Sequence, residues 1–288
     1  MIHDLEIIQE GSPVELAFYG GTFTALAKDW ISAFLETAAR YKRLGLVSAV
    51  RCSTRPDFTD ESLLKRLAAM GLDMVELGVQ TFDEKVLKTA RRGHTSQDTR
   101  QACKRVRAAG MRLGLQLLPG LPGHDTEAFA NDIATCVAIK PEMVRLHPCL
   151  VLAGTGLEPL YRAGVFAPWD LETTVQELAG ALLNLWGAEI SVARIGLAFE
   201  PTLEEAVLAG PRHPALGSMV RAQALLMDIT SRLRGRKAQS LFLPQWLNGE
   251  FWGHARGLES AYEALGLEKE RVFFEDRADI LLNVHHYE

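Results

Sequence analysis

The apolar positions of this chain follow two alternating spacings. Short apolar runs read as strands buried on both faces. Longer stretches with apolar residues every three or four positions read as helices. Val14–Tyr19 is the first such run; it ends in Gly20-Gly21-Thr22, and Ala25–Arg43 then carries a helical pattern with Trp30, Phe34, Leu35 and Ala38 on one side. Ala49–Thr54 predicts a second strand, Asp60–Met70 a helix after the Arg55-Pro56-Asp57 turn, and Asp73–Thr81 a third strand. One helix starts near Asp83 and another spans Ser96–Ala109, with Ser96 expected as its N-cap. Met111–Leu118, Met143–Leu150 and Ser191–Ala198 predict further strands, and Thr126–Ala138 a helix.

Strands separated by helices at this spacing predict parallel βαβ units with right-handed crossovers. The fold class is α/β, an open or partial (β/α) barrel. A doubly wound sheet is the competitor that periodicity alone does not exclude. After Thr202 the rhythm changes: Pro211-Arg212-His213-Pro214 marks a joint and a long helix covers about Leu216–Leu233. Strands are expected at Gln239–Leu243, Arg271–Glu275 and Asp279–Val284, with a helix at Gly253–Leu265. Residues 1–201 are read as the barrel and 202–288 as a small α+β C-terminal extension.

With 48% hydrophobic and 23% charged residues the chain has a globular profile, and its net charge of -5 exerts no global pull on nucleic acid or an anionic membrane. Met1–Gln9 lacks the basic start and long apolar core of a signal peptide, so a cytoplasmic protein without a membrane partner is expected. Cys52, Cys103, Cys136 and Cys149 are dispersed, which points to separate buried thiols rather than a disulfide or a metal-ligand pair. His285-His286 would point to opposite faces of a strand, so shared metal ligation there is not expected.

The strand ends share one chemistry: Gly20-Gly21-Thr22, Ser53 to Asp57, Gln80-Thr81, Gln116 and His147 would face a common mouth. Such a lining suits a ligand with a charged amino-acid end, a ribose and a base. Paired glycines would leave bare backbone amides open to its polar atoms. Arg55 could fork onto a carboxylate, or pair with Asp57 or Glu76; His147 could donate a proton, or be a hydrogen-bonded strand-end histidine. The basic runs Arg91-Arg92, Lys104-Arg105-Val106-Arg107 and Arg232 to Lys237 would touch phosphates or simply cover solvated helix faces.

Several blocks, in order, resemble the radical S-adenosylmethionine (SAM) superfamily and its Elongator catalytic-subunit-like branch. They are Val14 to Thr24, Thr54-Arg55-Pro56-Asp57, Glu76-Leu77-Gly78-Val79-Gln80-Thr81-Phe82-Asp83, Arg91-Arg92-Gly93-His94-Thr95, Gly114 to Gly123, Gly154-Thr155-Gly156-Leu157 and Arg194-Ile195-Gly196-Leu197. Oxygen-independent coproporphyrinogen oxidases share the Gly-Val-Gln-x-Phe-Asp block more loosely. The resemblance implies a partial barrel with SAM at its strand ends. It implies that Gly20-Gly21-Thr22 receives the amino group of SAM, that Ser53 and Gln80 meet its carboxylate or ribose, and that Gln116 flanks the adenine. Arg55 and His147, read from their places at the strand ends rather than from the resemblance, are the remaining candidates for the SAM-binding set. It also implies a four-iron four-sulfur cluster, an electron-donor protein and a 5'-deoxyadenosyl radical acting on a substrate, with tRNA the substrate class of that branch.

One departure stands out. The family's Cys-x3-Cys-x2-Cys loop is not found in this sequence, and neither is an acetyltransferase module expected after Thr202. Two readings stay open: a shortened form of a longer radical SAM protein, lacking the first barrel strand, or a cluster-less SAM-binding or protein-interaction scaffold. The first is favoured because a missing first strand would leave an unpaired sheet edge. As written, the chain is not expected to cleave SAM reductively, because no local set of thiolates converges on one point.

Overall fold

The computed structural model describes residues 13–197 and 201–284. Expectations for residues before Pro13, for Ala198 and for His285-His286 lie outside the described residues. The chain divides into two compact units, one made of 1–147 with 188–193, the other of 148–187 with 194–288.

The first unit is an open, strongly curled parallel sheet, a half-barrel. Its strands are β1 (Val14–Phe18), β2 (Val47–Thr54), β3 (Met74–Gln80), β4 (Arg112–Leu117) and β5 (Met143–Leu146). After β6 (Val151–Leu152), which lies in the other unit, β7 (Ser191–Ile195) completes the order β1-β2-β3-β4-β5-β7. Helices α1 (Lys28–Arg43), α2 (Glu61–Ala69), α3 (Glu84–Thr89), α4 (Ser96–Ala108) and α5 (Thr126–Ile139) supply the crossovers that parallel pairing requires. β3 is buried from Met74 to Val79, as a central parallel strand covered on both faces should be. β1 pairs only with β2 among the described residues, and none of its side chains is fully buried.

Side-chain caps fix where these helices start. Asp60, Asp83 and Asp125 accept the backbone N–H of Leu63, Val86 and Ala128. The α4 N-cap is Thr95, not Ser96: Thr95 and Asp98 exchange bonds in a capping box, the spacing that lets each side chain reach the other's backbone amide. The core face of α1 is Ile31, Leu35, Ala38 and Tyr41, whereas Trp30 is 62% exposed and joins Phe34, Phe18 and Phe23 in an aromatic cluster. The strand expected over Met143–Leu150 stops at Leu146, since Pro148 offers no N–H to continue a ladder.

The second unit holds β6, α6 (Leu157–Arg162), α7 (Leu171–Gly187), α8 (Pro201–Ala206), β8 (Val207–Ala209), α9 (Leu216–Leu233), β9 (Ala238–Pro244), α10 (Glu259–Ala264), β10 (Val272–Glu275) and β11 (Leu281–Val284). β6 and β8 pair antiparallel; β9 is central in a sheet with β10 parallel and β11 antiparallel to it. Leu241, Leu243, Phe251, Tyr262 and Leu267 form its core. The helix expected over Gly253–Leu265 is instead a 3-10 turn at His254–Arg256 followed by α10, because Ala255 and Arg256 sit at positive φ. Both α6 and α7 are additions to the sequence reading. Among the described residues no helix is long and apolar enough to cross a membrane.

Candidate functional site

Four strands of the half-barrel, with Tyr19 just past the end of β1, converge on one buried carboxylate. Glu76 on β3 is 0% exposed. It accepts hydrogen bonds from the Tyr19 hydroxyl at 2.6 Å, Arg145 Nε on β5 at 2.8 Å and Gln116 Nε2 on β4 at 2.9 Å. Arg145 also donates to the Tyr19 hydroxyl at 2.6 Å and lies over its ring. Arg51 Nε on β2 is 3.6 Å from Glu76, and Ser53 on β2 donates to Gln116 at 3.4 Å. A buried carboxylate needs such partners, since an unpaired one would cost several kcal/mol, on the order of the desolvation penalty. Burial first, then the bond to Glu76, pushes the Tyr19 phenol up to about 12.

The period of two along each strand makes this convergence. Arg51 and Ser53 share a face of β2, and Glu76 registers with Ser53 on one side and Gly114 on the other. A Cβ on Gly114 would stand 2.9 Å from Glu76 Cγ, so glycine there gives the carboxylate its room. Gln116 registers with Arg145. The sequence reading named Ser53 and Gln116 but not Tyr19, Arg51 or Arg145 as site residues. Their signal was a charged or polar residue inside each of several otherwise apolar strands.

Tyr19 leads into the Gly20-Gly21-Thr22 corner. Gly20 has φ +103° and Gly21 φ +157°, and a Cβ built on either meets nothing within 4 Å. A cavity of about 100 Å3 lies there, lined by Phe18, Tyr19, Gly20, Gly21, Thr22, Phe23 and Leu26. Thr22 thus borders the corner cavity, whereas Ser53 and Gln116 turn onto each other and Glu76. Gln80 ends β3 at φ +68°, a left-handed conformation that a glutamine rarely adopts, and its carbonyl accepts the N–H of Leu118. His147 follows β5, its N–H bonded to the Leu117 carbonyl at 2.9 Å.

Arg55 does not reach Glu76. Its guanidinium forks onto Asp57 at 3.0 and 2.7 Å and lies over the Phe58 ring. Half-buried Arg92 is close by; burial first, then Arg55, pulls its guanidinium below the ordinary range. Gly93 packs so tightly that a Cβ would come within 2.2 Å of Arg55 Nη2. His94 is buried with Nε2 3.1 Å from the Val79 carbonyl, so Nε2 carries the proton.

The family profile described as Radical SAM superfamily matches residues 3–136, and that described as Radical SAM C-terminal domain matches 141–226. The chain belongs to the radical SAM superfamily. Within that superfamily it is 27% identical to a tRNA uridine(34) acetyltransferase of Methanocaldococcus infernus, over 93% of this chain and 54% of that protein. It is 27% identical to Elongator complex protein 3 of Homo sapiens, over 63% of this chain and 37% of that protein. The solved structure of the archaeal M. infernus Elp3 with N-terminus deletion (1-46) aligns with TM-score 0.68 at 25% identity, covering 82% of this chain and 60% of that one. The chain spans about half the length of the curated archaeal relative it matches over most of its own sequence.

The radical SAM fold implies SAM and an iron–sulfur cluster, and the residues fit the two differently. At Gly20 and Gly21 the backbone lies open, with nothing within 4 Å of where a Cβ would stand, so a ligand's polar atoms can reach it there. The thiols do not fit a cluster. All four cysteines are buried and free, and burial raises each thiol, Cys103 to about 11 and Cys149 to about 12. Among the described residues no group of three or more His, Cys, Asp or Glu side chains is placed to hold a metal.

The basic runs have partners within the fold. Arg107 donates to the carbonyls of Ile139 and Lys140 at the C-terminus of α5, and Arg105 donates to Thr59. Arg232 pairs with Asp228 and Lys237 bonds the Ala264 carbonyl. These contacts favour a structural role over phosphate binding for those residues.

Proposed function

We propose that the half-barrel binds SAM, with Gly20, Gly21 and Thr22 at its amino-acid end and Ser53, Gln80, Gln116 and His147 along the strand ends. The observation that carries this reading is the open glycine corner at the C-terminal end of a parallel strand, where α/β sheets of this kind take their ligands. For the carboxylate of the ligand, Arg92 is a better candidate than Arg55. Arg55 is engaged by Asp57, and an anion beside the two guanidiniums would offset the burial and, after it, the Arg55 repulsion that lower Arg92. In radical SAM enzymes the bound molecule supplies a 5'-deoxyadenosyl radical once an electron reaches it. Here Tyr19, Glu76, Arg145 and Gln116 would hold the strands that frame it. No step through an iron–sulfur cluster is assigned to these residues, and an electron-donor protein belongs to this reading only where a cluster is supplied.

The names of the archaeal relatives support tRNA as substrate class. Four unpaired cysteines support a reducing, cytoplasmic setting. Burial leaves these four thiols unsuited to a cluster in either reading, a shortened radical SAM protein or a cluster-less SAM-binding scaffold. Calorimetric titration of SAM into the full chain and into Gly21→Val tests the proposal. Binding to the first and its loss in the second is expected; no heat from the unaltered chain sinks it. Anaerobic treatment with iron and sulfide then separates the readings, since 5'-deoxyadenosine formation from SAM would exclude the scaffold.

A further inference from the structure

The glycine corner is held from both of its ends, where Phe18 and Phe23 also stack on each other across it. On its C-terminal side a short turn fixes it, with Ala25 N–H bonding to the Thr22 carbonyl at 3.0 Å and Leu26 N–H to the Phe23 carbonyl at 3.2 Å. The glycines themselves have no side chains to pack, and nothing lies within 4 Å of the Cβ positions they lack. The Thr22 hydroxyl makes no capping bond. On the N-terminal side the residue attached to Gly20 is Tyr19, whose side chain is 50% exposed and contributes little to a core. Its hydroxyl nevertheless takes part in two bonds of 2.6 Å, donating to Glu76 and accepting from Arg145.

The geometry points to Tyr19 as a positioning residue for the amino-acid end of SAM: its hydroxyl, clamped by Glu76 and Arg145, ties the Gly20-Gly21 corner to β3 and β5. This inference rests on the SAM-binding reading. Two features support it over a purely structural pillar. Glu76 keeps Arg145 and Gln116 as partners without the phenol, so the buried charge does not depend on Tyr19. The phenol, in contrast, is the side-chain anchor directly attached to Gly20, with Phe18 and Phe23 stacked further out on either side, at a corner whose two glycines are free to sample a wide range of φ and ψ.

The test is equilibrium dialysis of the full chain and of Tyr19→Phe against two ligands, SAM and methylthioadenosine, which lacks the amino-acid end. Phenylalanine keeps the ring and removes only the hydroxyl. Loss of one hydrogen bond to a charged partner predicts SAM affinity falling about tenfold. Methylthioadenosine affinity should stay within about twofold, because the corner does not meet it. Unchanged SAM affinity overturns the inference, as does equal weakening of both ligands, which would mark a general distortion. If the unaltered chain binds neither ligand, the SAM-binding reading itself fails and takes the inference with it. Binding by the unaltered chain with no selective loss in the variant removes the inference alone.

Discussion

Arg145 Nε lies 2.8 Å from Glu76 Oε2, joining β5 to β3 by a charge pair inside the half-barrel. Glu76 is fully buried and the Arg145 side chain nearly so, which makes each intolerant of losing the other. Among the described residues, replacing Arg145 by Met would leave Glu76 with Arg51, at 3.6 Å, as its compensating cation. The expected cost of breaking such a pair is about 3 kcal/mol of unfolding free energy. Arg145→Met with Glu76→Gln should recover part of that loss, because the uncompensated charge is gone. Urea unfolding of the single and double variants measures both; an Arg145→Met protein as stable as the parent would show that Arg51 alone balances the carboxylate.

Two glycines of the same unit should respond differently to alanine. At Gly114 the new Cβ would meet Glu76 Cγ at 2.9 Å, Met74 Cε at 3.0 Å and Met143 Cγ at 3.3 Å. Glu76 is fixed by its hydrogen bonds, so the overpacking is expected to cost about 1–3 kcal/mol. At Gly93 the clash is with the tip of Arg55, which can swing into solvent. Gly93→Ala should cost less than about 1 kcal/mol, the range of exposed ion pairs. Parallel melting curves decide, and equal losses would mean that the Arg55 fork is as rigid as the barrel interior.

Much of this architecture was legible from hydrophobic spacing. The helix at Leu216–Leu233 agrees with the reading at both ends, and the parallel strands fall where short apolar runs predicted them. What spacing could not supply is register. That Ser53 lies level with Glu76, and Gln116 with Arg145, depends on how neighbouring strands slide against each other. A single strand shows only that its alternate residues share a face. The glutamate of β3 therefore passed as one polar residue in an apolar run, although side chains of β2, β4, β5 and Tyr19 meet on it. The choice of Thr95 over Ser96 as N-cap was equally close in sequence; it turns on the reach of Asp98, a three-residue spacing counted from Thr95.

The four thiols provide a direct probe of folding. Cys52 and Cys136 are wholly enclosed, Cys103 and Cys149 nearly so, and all four are raised by burial. Thiolate is the reactive form, so at neutral pH the native chain should react very slowly with a disulfide reagent. Complete reaction of four thiols is expected only in denaturant. Rapid labelling of the native protein would mean that the fold opens locally, and identifying the modified cysteine would say in which unit.

His94 gives the fold a pH dependence of defined sign. Its Nε2 donates to the Val79 carbonyl, and its Nδ1 is buried without a hydrogen-bond partner, so a second proton would sit where no acceptor waits. Burial is the leading cause that depresses its titration; Arg92 and Arg55 act the same way, while the Val79 bond and Asp57 oppose. The folded state therefore takes up its proton at lower pH than the unfolded chain, whose histidine titrates near 6.5. As pH falls below that value the unfolded state binds more protons and gains stability relative to the folded one. The contribution of His94 is fully present above the unfolded value and is lost as pH drops through the folded one. Melting temperatures between about pH 7 and pH 5 should decline, and the decline should flatten in His94→Phe. An equally steep decline in the variant would assign the effect to other groups and mean that His94 titrates alike in the folded and unfolded states.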